Sequence, residues 1–374
     1  MRLGLILTSI LCVLAAPSPS GAQRAANPAS SAPAGLESTI QALVADQSVS
    51  HAQWGISVTT LDGTPIFALN DGEYFTPASN AKLFTTAAAF ALLGPNFVSK
   101  TYVIQEGTVD AAGVLHGGLT LAGTGDPSLS IRSYPYAKES AGKPVAEIPL
   151  ATTVLEELAK QVVGHGIRRV AGNVTGDESF FPAERYGTGW GWGDLQWEYC
   201  APVSALSFND NVTYLELQAG EHSGEPVETS WRDGFPYYSA EWNPPGMTVP
   251  HGAPRQIGVA RDPGGTTVRL FGTAPAGAKP TRFSLAVEQP SLYAATAFRA
   301  ALAARGVAVD GQTISHSDPV TRTTQFDDDV RKPLALQPLT AGVTSLVFEL
   351  KPGQQILAHT SHLRSPRRRR WSTR

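Results

Sequence analysis

A serine and a lysine stand three residues apart where an apolar stretch of the sequence begins. In the segment "YFTPASNAKLFTTAAAFALLG", residues 74–94, Ser79 precedes Lys82 and a run rich in Ala, Leu and Phe follows. Residues i and i+3 share one face of a helix, so the Lys82 amine can reach the Ser79 hydroxyl. A serine hydroxyl becomes a good nucleophile when a neighbouring group accepts its proton. The pair therefore indicates a Ser–Lys dyad for acyl transfer.

A lysine can accept this proton only in its neutral form. Burial and neighbouring groups bring the lysine pKa from about 10.4 towards about 7–8 in proteins that use lysine as a base. We expect an apolar helix packed in a core to provide such burial, and the helix N-terminus with the Ser79 amide to stabilise an oxyanion. On spacing alone, the alternative is a helix cap at Ser79 and a surface position for Lys82.

Local signals predict the elements that must position the dyad. The apolar spacing of residues 36–48 predicts a helix, and two alternating runs over residues 54–70 predict a hairpin that turns at Asp62-Gly63. Pro77 and Gly94 mark the start and the stop of the helix that carries the dyad. The nucleophile is therefore expected at a junction between a hairpin and a helix.

The sequence changes in character after this helix. From residue 98 to 283, short alternating runs and Gly/Pro turns predict a β-rich region, interrupted by one helix over residues 151–166. A helical pattern returns at "QPSLYAATAFRAALAARGV" and stops at Gly306. The 374 residues, 42% of them hydrophobic and 16% charged, are enough for two or three domains, or for one domain with large insertions.

The N-terminus has the pattern of an export signal. Arg2 precedes the apolar residues 3–16, and Ser20 and Ala22 supply the small residues of a cleavage site after Ala22. Residues 1–22 are therefore predicted to be a signal peptide, and residues 23–35 a flexible N-terminus. The apolar stretch is too short for a comfortable membrane span, so no transmembrane segment is expected after cleavage. Cleavage would leave Cys200 as the only cysteine, which excludes an intrachain disulfide.

Five stretches together resemble the class C penicillin-binding proteins, a family of D-alanyl-D-alanine carboxypeptidases and endopeptidases. They are the dyad segment, "LTLAGTGDPSLS", "VAGNVTGDESFF", "GWGWGDLQWEYCAPVSALSFNDN" and "VEQPSLYAATAFRAALAARGV". The resemblance runs from about residue 36 to 361. It implies an incomplete α/β (α+β) domain of the serine transpeptidase/β-lactamase type in residues 36–97 and 284–361, with β-rich inserted domains in residues 98–283.

The resemblance also implies a chemistry. Ser79 would be the acylated nucleophile and Lys82 the proton acceptor, acting on the D-Ala-D-Ala end or the D-Ala cross-link of peptidoglycan stem peptides. β-Lactams would acylate the same serine. The resemblance implies no metal, no organic cofactor and no nucleic-acid partner. The protein would be located in the periplasm or cell envelope. Two other functions stay open: a non-catalytic peptidoglycan-binding protein that uses the β-rich insertion, and a serine β-lactamase, which shares the Ser-x-x-Lys motif.

The chain departs from the family pattern near its end. Such sites also contain Ser-x-Asn and Lys-Thr-Gly motifs, and the sequence has no Lys-Thr-Gly. Ser207-Phe208-Asn209 matches Ser-x-Asn literally, but it falls within the insertion signature, well before the family's position. After "LAHTS" at residues 357–361 the composition changes abruptly. A shifted reading frame of residues 361–368 can encode Ser-Pro-Pro-Leu-Ala-Glu, the family's expected continuation, which indicates a frameshift or sequencing error near Ser361.

Residues 362–374 would then be an out-of-frame basic tail. The last eleven residues hold six arginines; the rest of the chain holds 23 basic and 32 acidic residues, a net charge of −9. The alternative is a genuine tail that binds anionic lipid, wall polymer or nucleic acid. If the C-terminal motifs are missing, the hairpin and the dyad helix lose part of their cover. We therefore expect this chain to acylate slowly or not at all.

Two groups of other residues are assigned structural roles. The carboxylates at turns are expected to be caps and turn formers; they are Asp126, Asp177, Glu178 and Asp194. The tryptophans Trp190, Trp192 and Trp197 are expected to pack in the insertion rather than to form a glycan platform.

Overall fold

The structure is a computed structural model that describes residues 35–94, 97, 99–130, 151–235, 237–318 and 354–359. Its contacts divide the chain into two compact units, one ending at Ala89 and one beginning at Phe90. The predicted signal peptide and nearly all of residues 23–35 lie outside the described residues, as do the basic tail and the site of the predicted frameshift. The predicted domain boundaries at residues 97/98 and 283/284 stay predictions.

The first unit contains the predicted hairpin, the first predicted helix and most of the dyad helix, whose last four residues belong to the second unit. Its elements are the helix α1 (Leu36–Val44), the strands β1 (Ile56–Thr59) and β2 (Pro65–Leu69), a 3-10 turn (Ala78–Asn80), and the helix α2 (Ala81–Leu93). The two strands are antiparallel, with Ile56 opposite Leu69. Gly63 has a φ of 88°, the left-handed conformation that a tight turn requires and that glycine adopts without a steric penalty. The hairpin prediction is confirmed.

The dyad helix is exposed in the described residues, whereas the sequence favours burial for a complete domain and a loss of cover if the C-terminal motifs are missing. No residue of α2 is buried, and its phenylalanines Phe84 and Phe90 are 54% and 71% exposed. The apolar composition predicted a core position because hydrophobic residues usually find a partner surface.

The second unit is rich in short strands, as the turn-rich sequence predicts. Its strands are β3 (Tyr102–Glu106), β4 (Thr108–Val109), β5 (Val114–His116), β6 (Leu119–Ala122), β7 (Arg169–Val170), β8 (Val174–Asp177), β9 (Val212–Gln218), β10 (Glu228–Trp231), β11 (Ser239–Trp242), β12 (Met247–Val249), β13 (Gln256–Ala260), β14 (Thr267–Pro275), β15 (Thr281–Ala286), β16 (Ala308–Val309), β17 (Thr313–His316) and β18 (Gln354–His359). Its helices are α3 (Thr153–Gly164) and α4 (Pro290–Ala304). Gly306 follows α4 with a φ of 77°, so the predicted helix stop is confirmed.

The larger core lies between two helices and a five-stranded sheet. The strand order is β17-β8-β6-β3-β18, with β17, β8 and β6 parallel and β3 and β18 antiparallel to their neighbours. Buried side chains from α3 and α4, including Leu155 and Phe298, pack against Leu121 of β6. The N-terminal end of α4 lies very close to β8 at Gly176, which has no side chain. A Cβ atom at that position would be 2.0 Å from the Ser291 carbonyl oxygen. A smaller sheet, β16-β7-β5-β4, contributes Leu115 and Val170 to the same core.

A second core lies between two other sheets. One has the order β10-β9-β15; in the other, β14 pairs with β11, β12 and β13. Leu215 of β9, Leu285 of β15 and Leu270 of β14 are buried together there. Tyr237 packs against both cores and therefore joins them. The whole is a mixed α/β structure with a β-rich second unit, as predicted.

Candidate active site

The structure brings Ser79 and Lys82 into direct contact. Lys82 Nζ donates a hydrogen bond to Ser79 Oγ over 2.9 Å. Ser79 lies in the 3-10 turn, and the α-helix begins two residues later, at Ala81. The i, i+3 spacing thus places the two side chains on one face, as the sequence predicts. Their catalytic roles stay predictions.

Backbone hydrogen bonds hold the turn that carries the serine. The Asn80 amide donates to the Pro77 carbonyl over 2.9 Å, and the Ala81 amide donates to the Ala78 carbonyl. Pro77 has a φ of −73°, which its ring fixes. The Ser79 side chain therefore projects from a backbone that is fixed on both sides.

Side chains anchor the loop that leads from the hairpin to this turn. Asn70 Nδ2 donates to the Trp54 carbonyl over 2.9 Å, and Gln53 Nε2 donates to Glu73 Oε2 over 2.6 Å. Both bonds join the loop to the residues just before β1. Nothing in the sequence pattern predicted these contacts, because each depends on a partner 16 or 20 residues away.

The surroundings of the amine bear on its charge. Among the residues that the structure describes, Lys82 Nζ has Ser79 Oγ as its hydrogen-bond partner and forms an ion pair with no carboxylate. A carboxylate neighbour would favour the charged ammonium form, which cannot accept a proton. Ser79 and Lys82 are both exposed among the described residues.

The literal Ser-x-Asn match has a structural role in the second unit. Asn209 is 1% exposed and its Nδ2 atom donates to the Val212 carbonyl over 2.9 Å. Ser207 Oγ donates to the Ser204 carbonyl over 3.2 Å. Residues 209–211 all have left-handed φ angles, from 49° to 57°, and lead directly into β9. These contacts agree with the view that the match belongs to the insertion signature.

The carboxylates predicted to form turns divide into two kinds. Asp126 and Asp177 each accept the backbone amide two residues on, over 2.9 Å, as turn formers do. Glu178 differs from the prediction: its buried carboxylate accepts from Ser204 Oγ over 2.6 Å and from Arg185 Nη2 over 3.1 Å. Within the described part of the chain, no three His, Cys, Asp or Glu side chains form a group that could hold a metal ion.

The predicted packing of the tryptophans holds for one of them and fails for another. The ring of Trp197 lies 6.4 Å from that of Phe283, beside the second core. Trp192 is 77% exposed instead of packed. The GWGWG segment has several glycines and no periodic pattern, so its sequence does not specify which ring turns inward.

The mixed α/β fold is that of the serine penicillin-binding proteins. The structure superposes on the crystal structure of penicillin-binding protein 4 (dacB) from Haemophilus influenzae with a TM-score of 0.57 and 26% sequence identity, covering 71% of this chain and 53% of that one. It also matches the structure of that protein in complex with a β-lactam, with a TM-score of 0.50 and 23% sequence identity. This match covers 71% of this chain and 51% of that one, and it shows a likeness of fold alone.

The chain belongs to the D-Ala-D-Ala carboxypeptidase 3 (S13) family, whose model matches residues 36–335. A D-alanyl-D-alanine carboxypeptidase from Actinomadura sp. (strain R39) is 30% identical over 283 residues, which are 74% of this chain and 48% of the relative. The D-alanyl-D-alanine carboxypeptidase DacB of Haemophilus influenzae is 31% identical over 167 residues, which are 45% of this chain and 30% of the relative. The chain thus spans about half the length of the first relative and less of the second.

Among the described residues, no helix combines the length and the hydrophobicity that a membrane crossing requires.

Proposed function

We propose that the chain is a serine-type D-Ala-D-Ala carboxypeptidase or endopeptidase that forms an acyl-enzyme on Ser79. The observation that carries the proposal is the 2.9 Å contact between Lys82 Nζ and Ser79 Oγ, in a chain that belongs to the S13 family. The substrate class is the D-Ala-D-Ala end, or the D-Ala cross-link, of peptidoglycan stem peptides. β-Lactams are the corresponding covalent inhibitors.

The proposed reaction has two acyl transfers. In the first, the Ser79 hydroxyl donates its proton to the neutral Lys82 amine while Oγ bonds to the carbonyl carbon of the penultimate D-Ala. The tetrahedral intermediate collapses, the terminal D-Ala leaves, and its amine takes up the proton. In the second, water attacks the ester carbonyl, releases the shortened peptide and restores the serine hydroxyl. Donors aimed at the developing oxyanion would stabilise both tetrahedral states.

The proposed attack uses the contact between the two side chains with the proton on the serine. In the structure the amine donates to Ser79 Oγ, whereas attack requires the hydroxyl to donate to the amine. We expect slow acylation by the isolated chain. Long incubation and mass spectrometry are therefore needed to detect the product.

Labelling with a fluorescent penicillin tests the proposal. Wild-type chain should gain one penicilloyl group on the peptide that contains Ser79, and Ser79→Ala should abolish this signal. Ser57→Ala is the matched control, because Ser57 is an exposed serine on β1 of the same unit. A label on another residue, or equal labelling of the Ser79→Ala variant, would refute the proposal.

Two further assays, peptidoglycan pull-down and penicillin turnover, separate the other functions. A non-catalytic wall-binding protein would pull down with peptidoglycan to the same extent with and without Ser79→Ala. A β-lactamase would release hydrolysed penicillin in many turnovers, whereas the proposed enzyme retains the label.

We further propose that the chain is exported to the periplasm or cell envelope, because residues 1–22 have the pattern of a signal peptide. Fractionation of cells that express the full gene tests this localisation.

A further inference from the structure

One segment of the second unit holds large aromatic side chains in water. The segment is residues 186–199, "YGTGWGWGDLQWEY", called the tryptophan loop below. Within it Trp192 is 77% exposed, Tyr199 67% and Trp190 37%. Aromatic rings bury the largest apolar area of any side chain, so folded proteins normally cover most of it. A group of such rings at the surface indicates a surface that binds a partner.

Both ends of the tryptophan loop are attached to buried parts of the second unit. Just before the loop, Arg185 Nη2 donates to Glu178 Oε1 over 3.1 Å, and the Glu178 side chain is buried. Near its other end, the Gln196 carbonyl accepts from the Ala286 amide over 2.9 Å. The exposed rings therefore project from a fixed base, which lowers the entropy cost of binding a ligand.

A turn and a carboxylate connect the exposed rings to one another. The Asp194 amide donates to the Gly191 carbonyl over 3.0 Å and closes the turn that carries Trp192. The Tyr199 hydroxyl donates to Asp194 Oδ1 over 2.9 Å. The other carboxylate oxygen, Oδ2, lies beside the turn, since a Cβ atom on Gly191 would be 3.0 Å from it. Asp194 thus places an acceptor oxygen between the tyrosine and the exposed indole.

The charge of the tryptophan loop restricts its ligand. The loop contains Asp194 and Glu198, both exposed, and no Lys or Arg. These carboxylates repel anionic lipid head groups, phosphate-containing polymers and nucleic acid. The ligand that fits is uncharged or cationic, and it offers an apolar face together with hydrogen-bond donors.

A sugar ring meets these requirements. The C–H groups on one face of a pyranose are weakly positive and stack on the negative face of an indole, while its hydroxyl groups donate to a carboxylate in strong, charge-assisted bonds. The glycan strands of peptidoglycan are chains of N-acetylated hexosamines, and they carry the stem peptides that are the proposed substrate.

We propose that the tryptophan loop binds the glycan strand of peptidoglycan, with Trp192 as the stacking surface and Asp194 Oδ2 as the acceptor for a sugar hydroxyl. The choice of this glycan rests on the proposed function. The sequence favoured packing over a glycan platform for the tryptophans of this segment, and the 77% exposure of Trp192 reverses that preference for this residue.

Binding of peptide-free sugars by the full chain tests the proposal. The probes are N-acetylglucosamine oligosaccharides and glycan strands freed from their stem peptides by an amidase, and titration calorimetry measures the dissociation constant. Trp192→Ala should raise it about tenfold, because one stacking contact is lost. Trp192→Phe keeps a ring and should stay within about threefold of wild type. Asp194→Asn should weaken binding about threefold, because its acceptor loses its charge.

Phe271→Ala is the matched control. Phe271 is also an exposed aromatic residue, 48% exposed, and it follows the buried Leu270 on β14, so it lies on the face of the strand turned away from the second core. This variant should bind the sugars as wild type does. Urea denaturation verifies that each variant is folded.

The outcomes that overturn the proposal are specific. One is the absence of binding of both probes to wild-type chain, and another is an equal dissociation constant for wild type and Trp192→Ala. A lysine-rich peptide that binds through Trp192 more tightly than the sugars would assign the loop to a cationic partner instead. Binding to phosphatidylglycerol vesicles, or a dimer lost in Trp192→Ala, would likewise assign it to a membrane or to a second copy.

Sugar binding and acylation are measured separately, so their failures are distinguishable. Ser79→Ala should bind the peptide-free sugars as tightly as wild type. If penicillin does not label Ser79 while the sugars bind through Trp192, the proposed function fails and the glycan site remains. If penicillin labels Ser79 and the sugars do not bind, the glycan site fails and the proposed function remains. Whole peptidoglycan should then be retained by Ser79→Ala and less well by Trp192→Ala only in the presence of the glycan site.

Discussion

The ring of Phe75 lies directly against the backbone of Gly55. A Cβ atom on Gly55 would be 2.4 Å from Cε2 of Phe75, closer than real side chains approach. The contact joins the start of β1 to the loop that ends at Ser79. It is one of three such anchors, with the bonds from Asn70 to Trp54 and from Gln53 to Glu73. These three contacts thus hold the loop that leads to Ser79, the proposed nucleophile.

Substitution Gly55→Ala should loosen this loop. The new methyl group forces the phenylalanine ring away, and overpacking of this kind costs about 1–3 kcal/mol. We expect faster amide hydrogen exchange in residues 70–80 and slower acylation of Ser79. Gly72→Ala is the control: a Cβ atom there meets nothing within 4 Å, so exchange should stay the same or slow slightly. Unchanged exchange in Gly55→Ala would show that the contact does not hold the loop.

Substitutions of Lys82 separate two roles of its amine. Lys82→Met removes the proton acceptor and should lower the acylation rate about 10²- to 10⁴-fold. Lys82→Arg keeps a positive charge that is not lost at any working pH, so it should be as slow as the methionine variant if the amine acts as a base. The control is Lys160→Met, on the exposed surface of α3 beside Glu157. An arginine variant within about tenfold of wild type would instead favour a purely electrostatic role.

The sequence predicted those elements whose signals are local. The hairpin at Gly63 and the end of α4 at Gly306 follow from turn and stop residues that act on their immediate neighbours. The contact between Ser79 and Lys82 belongs to this group, because three residues along a helix fix the geometry.

The parts that sequence reasoning missed depend on distant partners. The pairing of β17 with β8 joins residues 139 positions apart, as in the bond from His316 to Asp177. Glu178 was predicted to be a turn former because the local sequence does not reveal its partner. That partner, Ser204, is 26 residues away. The exposure of α2 also depends on distant parts of the chain: composition shows that a helix can be buried, whereas burial requires a surface to cover it. The left-handed Ala78 gave no signal, since alanine is not typical of that conformation.

Two arginine–carboxylate pairs of equal length should differ in their effect on stability. Arg261 Nη1 lies 2.6 Å from Glu288 with 2% of the arginine side chain exposed, whereas Arg269 lies 2.6 Å from Asp262 at the surface. Arg261→Gln leaves a largely buried carboxylate without its partner and should cost about 3–5 kcal/mol. Arg269→Gln should change stability little, because exposed pairs are screened by solvent. Urea denaturation of both variants tests this; similar losses would show that burial does not set the difference.

Asp233 should make the second unit less stable as the pH rises. It is 2% exposed, and it accepts hydrogen bonds from Thr213 and from the Tyr293 hydroxyl, the latter over 3.0 Å. Burial outweighs these bonds and raises the pKa of Asp233 from 3.8 to about 6. Below pH 4 the group is protonated in the folded and unfolded states alike. Between pH 4 and 6 only the folded state keeps its proton, so the free energy of unfolding falls by about 3 kcal/mol in total.

Asp233→Asn should remove this pH dependence. The free energy of unfolding of the variant, relative to wild type, should increase by about 3 kcal/mol from pH 4 to pH 8, because the variant has no buried charge to form. Asp262→Asn is the opposite control: Arg269 holds the pKa of Asp262 below its ordinary value of 3.8, so this variant should lose stability relative to wild type as the pH rises towards 4 and show a nearly constant difference above it. Urea denaturation at pH 2, 4, 6 and 8 measures both differences. A constant difference between Asp233→Asn and wild type would mean that Asp233 titrates alike in the folded and unfolded chain.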